Sequence, residues 1–196
     1  CIFNTFLYLG YDDYNSLFFT PYLKNISIPI EDKHLKIIKK IQKKQTYMFN
    51  WKGNSQNLHE KTNRGMDLTC ALPLFELKNI QWIISAKEMT HKEIKILKKY
   101  KNIIILNKEL TKYDANKAFY DTLLFLKHVN GMISTDTSLV HLSLTVGVST
   151  TVLLSLGCEW RWSGNKTNWY PNAKLIKQTK IGEWEPVIST VYSMLK

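Results

Sequence analysis

Six short apolar segments constrain the fold of this chain most, because helical patterns fill at least three of the gaps between them. They are residues 46–51, 81–85, 102–106, 131–135, 150–155 and 173–178. Strands that alternate with helices are typical of parallel βαβ units. We therefore predict an α/β fold with a Rossmann-like, doubly wound parallel sheet. In the strand order 3-2-1-4-5-6, the first and fourth strands lie side by side at the switch point, where ligands bind.

Two polar sequences that are distant in the chain follow the first and fourth strands. Lys52, Gly53 and Asn54 come after the first strand. Thr135 is the last residue of the fourth strand, and Asp136, Thr137 and Ser138 follow it. Because the carboxyl ends of parallel strands meet at one edge of a sheet, we expect both sequences to converge on one crevice. Lys52 is then placed to approach a phosphate group.

The segment after the fourth strand reads as a short helix that ends at Gly147. The start of such a helix offers free N–H groups and a positive dipole end, which suit a diphosphate. Thr137 and Ser138 add hydroxyl donors, and Asp136 can accept hydrogen bonds from sugar hydroxyls. His141, one turn into the helix, can reach a phosphate oxygen or a leaving group.

Each of these residues also has a purely structural interpretation. Asp136 can be the N-cap of the helix and nothing more, because Asp, Ser and Thr are preferred caps. His141 can be a packed histidine on an apolar helix. In the same way, Asp121 can simply cap a helix that runs through Leu126. The spacing between Asp136 and His141 favours a functional role for that pair.

A second cluster, rich in tryptophan, follows the fifth strand and includes Trp160, Arg161, Trp162 and Trp169. Flat aromatic rings beside a guanidinium group suit a nucleobase or a sugar ring. We expect Trp160 and Arg161 to contact such a ligand. Alternatively, Trp160 and Trp162 form a half-buried edge pair, and Trp169 holds its loop in place.

These motifs resemble the bacterial glycosyltransferases that follow tetratricopeptide repeats, which are similar in turn to the ADP-heptose-dependent heptosyltransferases of GT-B fold. The resemblance is specific over residues 119–184. The matching residues are Phe119-x-Asp121-Thr122, Asp136-Thr137-Ser138-x-x-His141-Leu142, Trp160-Arg161-Trp162, Trp169-Tyr170-Pro171, Gln178 and Gly182-x-Trp184, with Trp51-x-Gly53-Asn54 and Arg64 upstream. Glu159 departs from the pattern, because an aspartate is usual there.

The resemblance implies the carboxy-terminal, donor-binding half of a metal-independent, inverting GT-B glycosyltransferase that needs no cofactor. It transfers sugar from a nucleotide sugar to a protein or glycan acceptor. His141 and Asp136 are the expected catalytic residues. The expected donor-binding residues are Lys52, Gly53, Asn54, Thr135, Thr137, Ser138, Trp160 and Arg161. The alternative is a truncated, non-catalytic relative that serves in binding or assembly.

The length of 196 residues predicts a nucleotide-sugar-binding domain at 36–196, with residues 1–35 as the remnant or tail of an acceptor domain. Because the chain starts at Cys1 and not at a methionine, we expect a fragment or a processed chain, and a separate acceptor domain as a possible partner. The three cysteines, far apart and odd in number, indicate neither a disulfide framework nor a metal cluster. A reducing, cytoplasmic compartment is the simplest expectation.

The net charge of +11 comes mostly from lysine, as in the amphipathic segment 33–44. We interpret these lysines as a solvated outer face, with a membrane-binding helix as the alternative. Nucleic-acid binding is disfavoured, because arginine, the usual reader of bases, occurs only at Arg64 and Arg161. Apolar runs are too short to span a bilayer.

Overall fold

The computed structural model describes residues 21–41, 44–56, 64–106, 119–162, 164–167 and 169–196. The strands are β1 (Gln45–Asn50), β2 (Ile80–Ile84), β3 (Ile103–Ile105), β4 (Gly131–Thr135), β5 (Thr150–Leu154) and β6 (Ala173–Lys177). The helices are α1 (Asp32–Ile41), α2 (Leu68–Phe75), α3 (His91–Leu97), α4 (Tyr120–Leu126), α5 (Ser138–Val146) and α6 (Glu185–Leu195). A single 3-10 turn covers Trp160–Trp162.

The six strands form one parallel sheet in the order β3-β2-β1-β4-β5-β6. This confirms the predicted doubly wound α/β fold and its strand order. β1 and β4 are neighbours, and their register pairs Asn50 with Ser134 at the carboxyl end. The crevice of the switch point therefore opens directly beyond Asn50 and Thr135.

Alternate residues of the strands bury against helices on opposite faces of the sheet, as the two-residue period of a strand requires. On one face, Phe49, Trp82 and Ile133 share a core with residues of α2, α3 and α6. On the other face, Met48 and Met132 pack with residues of α1 and α4. Helix α5 covers β5 and β6 through a third cluster that includes Trp162 and Tyr170. The sheet is thus buried on both sides, and its carboxyl edge carries the polar side chains.

The apolar side of the lysine-rich helix α1 packs against the protein core. Ile38 and Ile41 are 5% and 1% exposed and pack in the core, whereas Lys36, Lys39 and Lys40 are exposed. This arrangement matches the interpretation of the lysines as a solvated outer face. Within the described ranges, no helix is both long and apolar enough to cross a membrane.

A buried polar pair joins α1 to α4. His34 Nε2 lies 3.2 Å from Asp121 Oδ1, and the two side chains are 0% and 1% exposed. The N-cap of α4 is Phe119, whose φ of 67° is left-handed and which makes no side-chain cap. Asp121 is therefore not the cap that its sequence position suggests, because its carboxylate is directed toward His34 instead.

Residues 21–35 also contact the sheet domain through the backbone. Leu23 N donates a hydrogen bond to Thr145 O at 3.0 Å, at the end of α5. The proposed domain boundary at residues 35 and 36 falls inside α1 and stays a prediction. Residues 1–20, the larger part of the expected tail, lie outside the described residues.

Candidate functional site

Strand β4 leads directly into helix α5 at the switch point, through two buried polar residues. Asp136 and Thr137 are 7% and 6% exposed, and Ser138 opens the helix at the surface. The N-cap is Thr137, in extended conformation, and its side chain makes no capping hydrogen bond. The cap is therefore Thr137 and not Asp136. At its other end the helix stops at Gly147, whose φ of 89° suits glycine, as the sequence predicts.

The Thr137 hydroxyl takes part in a hydrogen-bond network with the ends of β1 and β4. Asn50 Nδ2 donates to Thr137 Oγ1 and to Ser134 Oγ, each at 3.3 Å. Ser134 Oγ in turn donates to Thr135 O at 2.7 Å. Thr137 thus gives α5 no side-chain cap, and Val140 N donates to Thr137 O at 3.0 Å. Among the described residues, the N–H groups of Ser138 and Leu139 therefore keep their donor capacity for another acceptor. The free N–H groups and positive dipole end of such a helix start can bind an anion.

Asp136 is buried beside this helix start. Burial raises the pKa of the Asp136 carboxyl above its usual value of 3.8, while the Trp162 side chain and the His141 imidazole lower it. The Trp162 indole N–H lies close enough to stabilise the charged form of Asp136, which is why it lowers the pKa. The same N–H makes no hydrogen bond of good geometry with any described residue. Arg64 also acts on this carboxyl through space. Asp136 is therefore a buried carboxyl group, with Trp162, His141 and Arg64 near enough to lower its pKa against the effect of burial.

His141 lies one turn into α5, within a cluster of stacked rings. Its Nδ1 is 2.9 Å from the Tyr170 hydroxyl. The Trp162 ring stacks on the imidazole at 5.5 Å and 27°, and on the Tyr170 ring at 5.8 Å and 26°. Burial is the main cause that lowers the pKa of His141, with Asp136 opposing it. At neutral pH the imidazole is therefore uncharged.

The 3-10 turn carries the predicted ring-binding residues. Trp160 is 44% exposed, and the Arg161 guanidinium lies 5.0 Å from its ring centroid. Arg161 also pairs with Glu159 and acts on the pKa of His141. Trp169 packs its edge against Trp160 at 5.5 Å and 74°. Trp162, by contrast, is fully buried, so Trp160 and Trp162 are not a symmetric half-buried pair.

Lys52, Gly53 and Asn54 lie in the loop after β1, as expected, but this loop is held by acidic side chains of the β2–α3 segment. Lys52 Nζ lies 2.8 Å from both carboxylate oxygens of Glu93, and Trp51 Nε1 donates to Glu93 at 3.1 Å. Asn54 is exposed and its Oδ1 accepts from Gln56 N at 2.9 Å. A ligand phosphate must therefore share the Lys52 ammonium with Glu93.

Sequence reasoning did not assign roles to several residues that the fold brings to this edge. Asn50 directs the Thr137 hydroxyl, Glu93 holds Lys52, and Tyr170 contacts His141. Gln178 follows β6 and is 2% exposed, and neither of its amide atoms has a hydrogen-bond partner among the described residues. Thr135 Oγ1 is buried in the same unpartnered state. Thr135 is a predicted donor-binding residue, and Tyr170 and Gln178 belong to the motifs that carry the family resemblance, whereas Asn50 and Glu93 had no sequence signal.

The charge on Asp136 gives a test of the site. We expect Asp136→Asn to keep or increase stability at pH 7 while weakening ligand binding about tenfold. The folded protein holds the Asp136 proton more tightly than the unfolded chain does, so the carboxyl's contribution to stability falls as pH rises from 3.8 toward the raised folded pKa. An asparagine side chain does not titrate, so its contribution to stability does not change over this pH range. Urea unfolding of both proteins between pH 4 and pH 7 measures the difference. A wild-type advantage that grows with pH contradicts the expectation.

No cluster of three or more His, Cys, Asp or Glu side chains that could hold a metal ion occurs in the part of the chain that the structure describes.

Comparison with known proteins identifies the fold. The chain is similar in structure to E. coli heptosyltransferase WaaC with ADP, at a TM-score of 0.53 and 10% sequence identity. The similarity covers 89% of this chain and 46% of that chain, so this chain spans about half the length of that protein. No family model matches the sequence, and no curated protein matches it. The likeness confirms a Rossmann-like α/β fold.

Proposed function

We propose that this chain is the donor-binding half of a GT-B glycosyltransferase and binds a nucleotide sugar without a metal ion. The uncapped start of α5 carries the proposal, because it lies at the β1–β4 switch point beside buried Asp136 and half-buried His141. The fold likeness to a heptosyltransferase that binds ADP supports a nucleoside diphosphate as the ligand. The carboxyl groups near the helix start do not form the Asp-x-Asp pair that metal-dependent sugar transferases use, since Asp136 stands between two threonines.

In the proposed reaction, the diphosphate lies against the first N–H groups of α5. The bond between the sugar's anomeric carbon and the diphosphate oxygen breaks, and its electron pair leaves with the diphosphate. The helix dipole, Thr137, Ser138 and His141 stabilise this growing negative charge. Asp136 accepts hydrogen bonds from sugar hydroxyls and so positions the ring. An acceptor nucleophile attacks the anomeric carbon from the opposite side and loses its proton to a base on the acceptor side, which gives inversion.

The proposal extends to the binding of the nucleobase, to the acceptor and to the location of the protein. Exposed Trp160, with Arg161 on its ring, offers a flat surface for the base or the sugar. The motifs at Asp136–His141 and Trp160–Trp162 support a place among the tetratricopeptide-repeat-linked enzymes of bacteria, and hence a protein or glycan acceptor. Because this chain spans 46% of the heptosyltransferase, we propose that an acceptor-binding domain completes the enzyme. Free thiols at Cys70 and Cys158 fit a cytoplasmic location.

A panel of nucleoside diphosphates and their sugars tests the proposed function. At a hundredfold excess over the dissociation constant, a ligand stabilises the folded state by roughly 2.7 kcal/mol, which for a chain of this size raises the melting temperature by about 5 to 10 °C. We expect one base among adenine, guanine and uracil to give this shift with or without magnesium. Unchanged melting across the panel would remove the proposal. A shift that needs magnesium would remove its metal-independent part.

The second candidate function is a non-catalytic binding or assembly module. The Lys52–Glu93 pair favours it, since a phosphate-binding lysine is already engaged within the protein. Sugar transfer separates the two candidates. If the chain is joined to an acceptor domain and binds a nucleotide sugar but transfers nothing, the module is the better description. The isolated chain is expected to transfer little sugar in either case.

A further inference from the structure

The imidazole of His141 is held in a fixed orientation by two aromatic neighbours. Trp162 stacks on one face of the ring, and the Tyr170 hydroxyl lies 2.9 Å from Nδ1. Tyr170 is 9% exposed and also stacks on Trp162, so the phenol itself has little freedom to move. The two residues are 29 positions apart and meet only because the chain returns to α5 after β5. Nδ1 is thus committed to a partner within the protein.

Both groups of this contact are neutral near pH 7. Burial lowers the pKa of His141, and the charged groups that act on it are Asp136, Arg161 and Glu159. Burial likewise raises the pKa of Tyr170, on which Tyr22 and Arg161 act. The phenol therefore keeps its O–H, and the imidazole carries one proton, on either Nδ1 or Nε2. The Nδ1 contact decides which nitrogen carries it.

Of the two possible hydrogen bonds, the one donated by the phenol is the stronger. A phenol O–H is more acidic than the N–H of a neutral imidazole and is therefore the better donor, and a bare imidazole nitrogen is a better acceptor than a phenol oxygen. When Tyr170 donates, Nδ1 has no proton and Nε2 carries it. Side chains of a helix lean back toward its amino end, and His141 and Asp136, which precedes the first turn of α5, lie close enough to act on each other's pKa.

We propose that Tyr170 is a positioning residue, whose hydroxyl donates a hydrogen bond to Nδ1 and thereby holds His141 as the Nε2–H tautomer, ready to donate a hydrogen bond to an anion at the start of α5. The identity of that anion, a diphosphate, rests on the proposed function, but the tautomer does not. In the opposite tautomer Nε2 is a lone-pair acceptor, which repels a phosphate oxygen. Tyr170 thus decides whether a neutral His141 helps or hinders anion binding.

Nitrogen-15 NMR of the imidazole tests the tautomer directly. We expect two-bond proton–nitrogen spectra of the wild type at pH 7.5 to show His141 with Nε2 protonated and Nδ1 bare, with His141→Gln used to assign the signals. In Tyr170→Phe we expect a mixture of both tautomers, and in the control Tyr192→Phe no change. A wild type protonated on Nδ1 overturns the proposal, and so does an unchanged tautomer in Tyr170→Phe. The wild-type spectrum decides even if Tyr170→Phe does not fold.

Binding of ADP provides a second readout. We expect Tyr170→Phe to bind ADP about two- to tenfold more weakly than the wild type at pH 7.5, the worth of one neutral hydrogen bond. This deficit should vanish once the pH falls below the pKa of His141, because an imidazolium is protonated on both nitrogens whatever Tyr170 does. An equal deficit at every pH indicates a packing role and overturns the proposal. If the wild type binds no ADP, it is the proposed function that has failed for this ligand, while the NMR result still decides the tautomer.

Discussion

Replacing His34 with alanine is expected to lower the free energy of unfolding by about 3 to 5 kcal/mol, because it leaves a buried carboxylate without its partner. His34 Nδ1 accepts a hydrogen bond from Glu31 N at 3.2 Å, so Nε2 carries the proton and faces Asp121. The Asp121 carboxyl is 1% exposed and has no hydrogen-bond partner among the described residues, only this neighbour at 3.2 Å. The ring also packs its edge on Phe125 at 5.7 Å. Chemical denaturation measures the loss.

Two variants separate the buried pair from the helix that carries it. Lys36→Ala changes an exposed residue of the same helix and is expected to alter stability by less than about 0.5 kcal/mol. Asp121→Asn removes the charge but keeps an oxygen for the imidazole N–H, so its loss should be smaller than that of His34→Ala. If His34→Ala costs no more than Lys36→Ala, the pair does not hold α1 against α4.

Ser138→Pro is expected to weaken nucleoside diphosphate binding by about 10- to 150-fold while leaving the fold intact. Ser138 is the first residue of α5, where proline is well tolerated, and Thr137 before it has φ −134° and ψ 169°, as a residue before proline requires. The substitution removes one backbone N–H that we propose for the phosphate. A charge-assisted hydrogen bond of this kind contributes roughly 1.5 to 3 kcal/mol.

Matched variants make the Ser138→Pro result specific. Ser138→Ala keeps the N–H and removes only the hydroxyl, so we expect a smaller loss of affinity. His91→Pro makes the same backbone change at the first residue of α3, after Thr90 with φ −72° and ψ 157°. It should leave binding unchanged. Isothermal titration with the diphosphate that stabilises the wild type supplies the constants. Equal affinity for wild type and Ser138→Pro contradicts binding at the start of α5.

Several polar groups of the candidate site are buried without hydrogen-bond partners in the described part of the chain, which lowers the stability of the fold. Asp136, Thr135 and Gln178 are buried polar residues at the carboxyl edge, and the Thr135 hydroxyl and Gln178 amide lack partners among the described residues. Burying such groups without hydrogen bonds typically costs about 1 to 3 kcal/mol each. A ligand with many hydroxyl groups can supply the absent hydrogen bonds. This is the pattern expected of a binding site, and it supports the choice of a sugar as ligand.

Much of the fold could be predicted from the amino-acid sequence because its signals are local. The apolar segment Gly131–Thr135 and the helix that ends at Gly147 depend on neighbours within a few residues. The same holds for the amphipathic pattern of α1. The strand order was assumed from the common doubly wound fold and is not specified by the sequence pattern, but the structure has that order and it places residues 52–54 and 135–138 at one edge. The residues of the candidate site could therefore be predicted from the sequence, whereas the distances and contacts between them could not.

The roles of individual side chains depended on contacts across long stretches of chain. Asn50 and Thr137 are 87 positions apart, yet Asn50 donates to the hydroxyl of Thr137, the N-cap residue whose side chain makes no cap on α5. Lys52 pairs with Glu93 at a separation of 41. Asp121 faces His34 and does not cap its own helix. Local patterns specify helices and strands through backbone preferences, whereas the partner of a polar side chain is decided by which elements pack together. The sequence alone thus determined the sheet and the residues at its edge, and the tertiary structure decided which of their atoms remain available to a ligand.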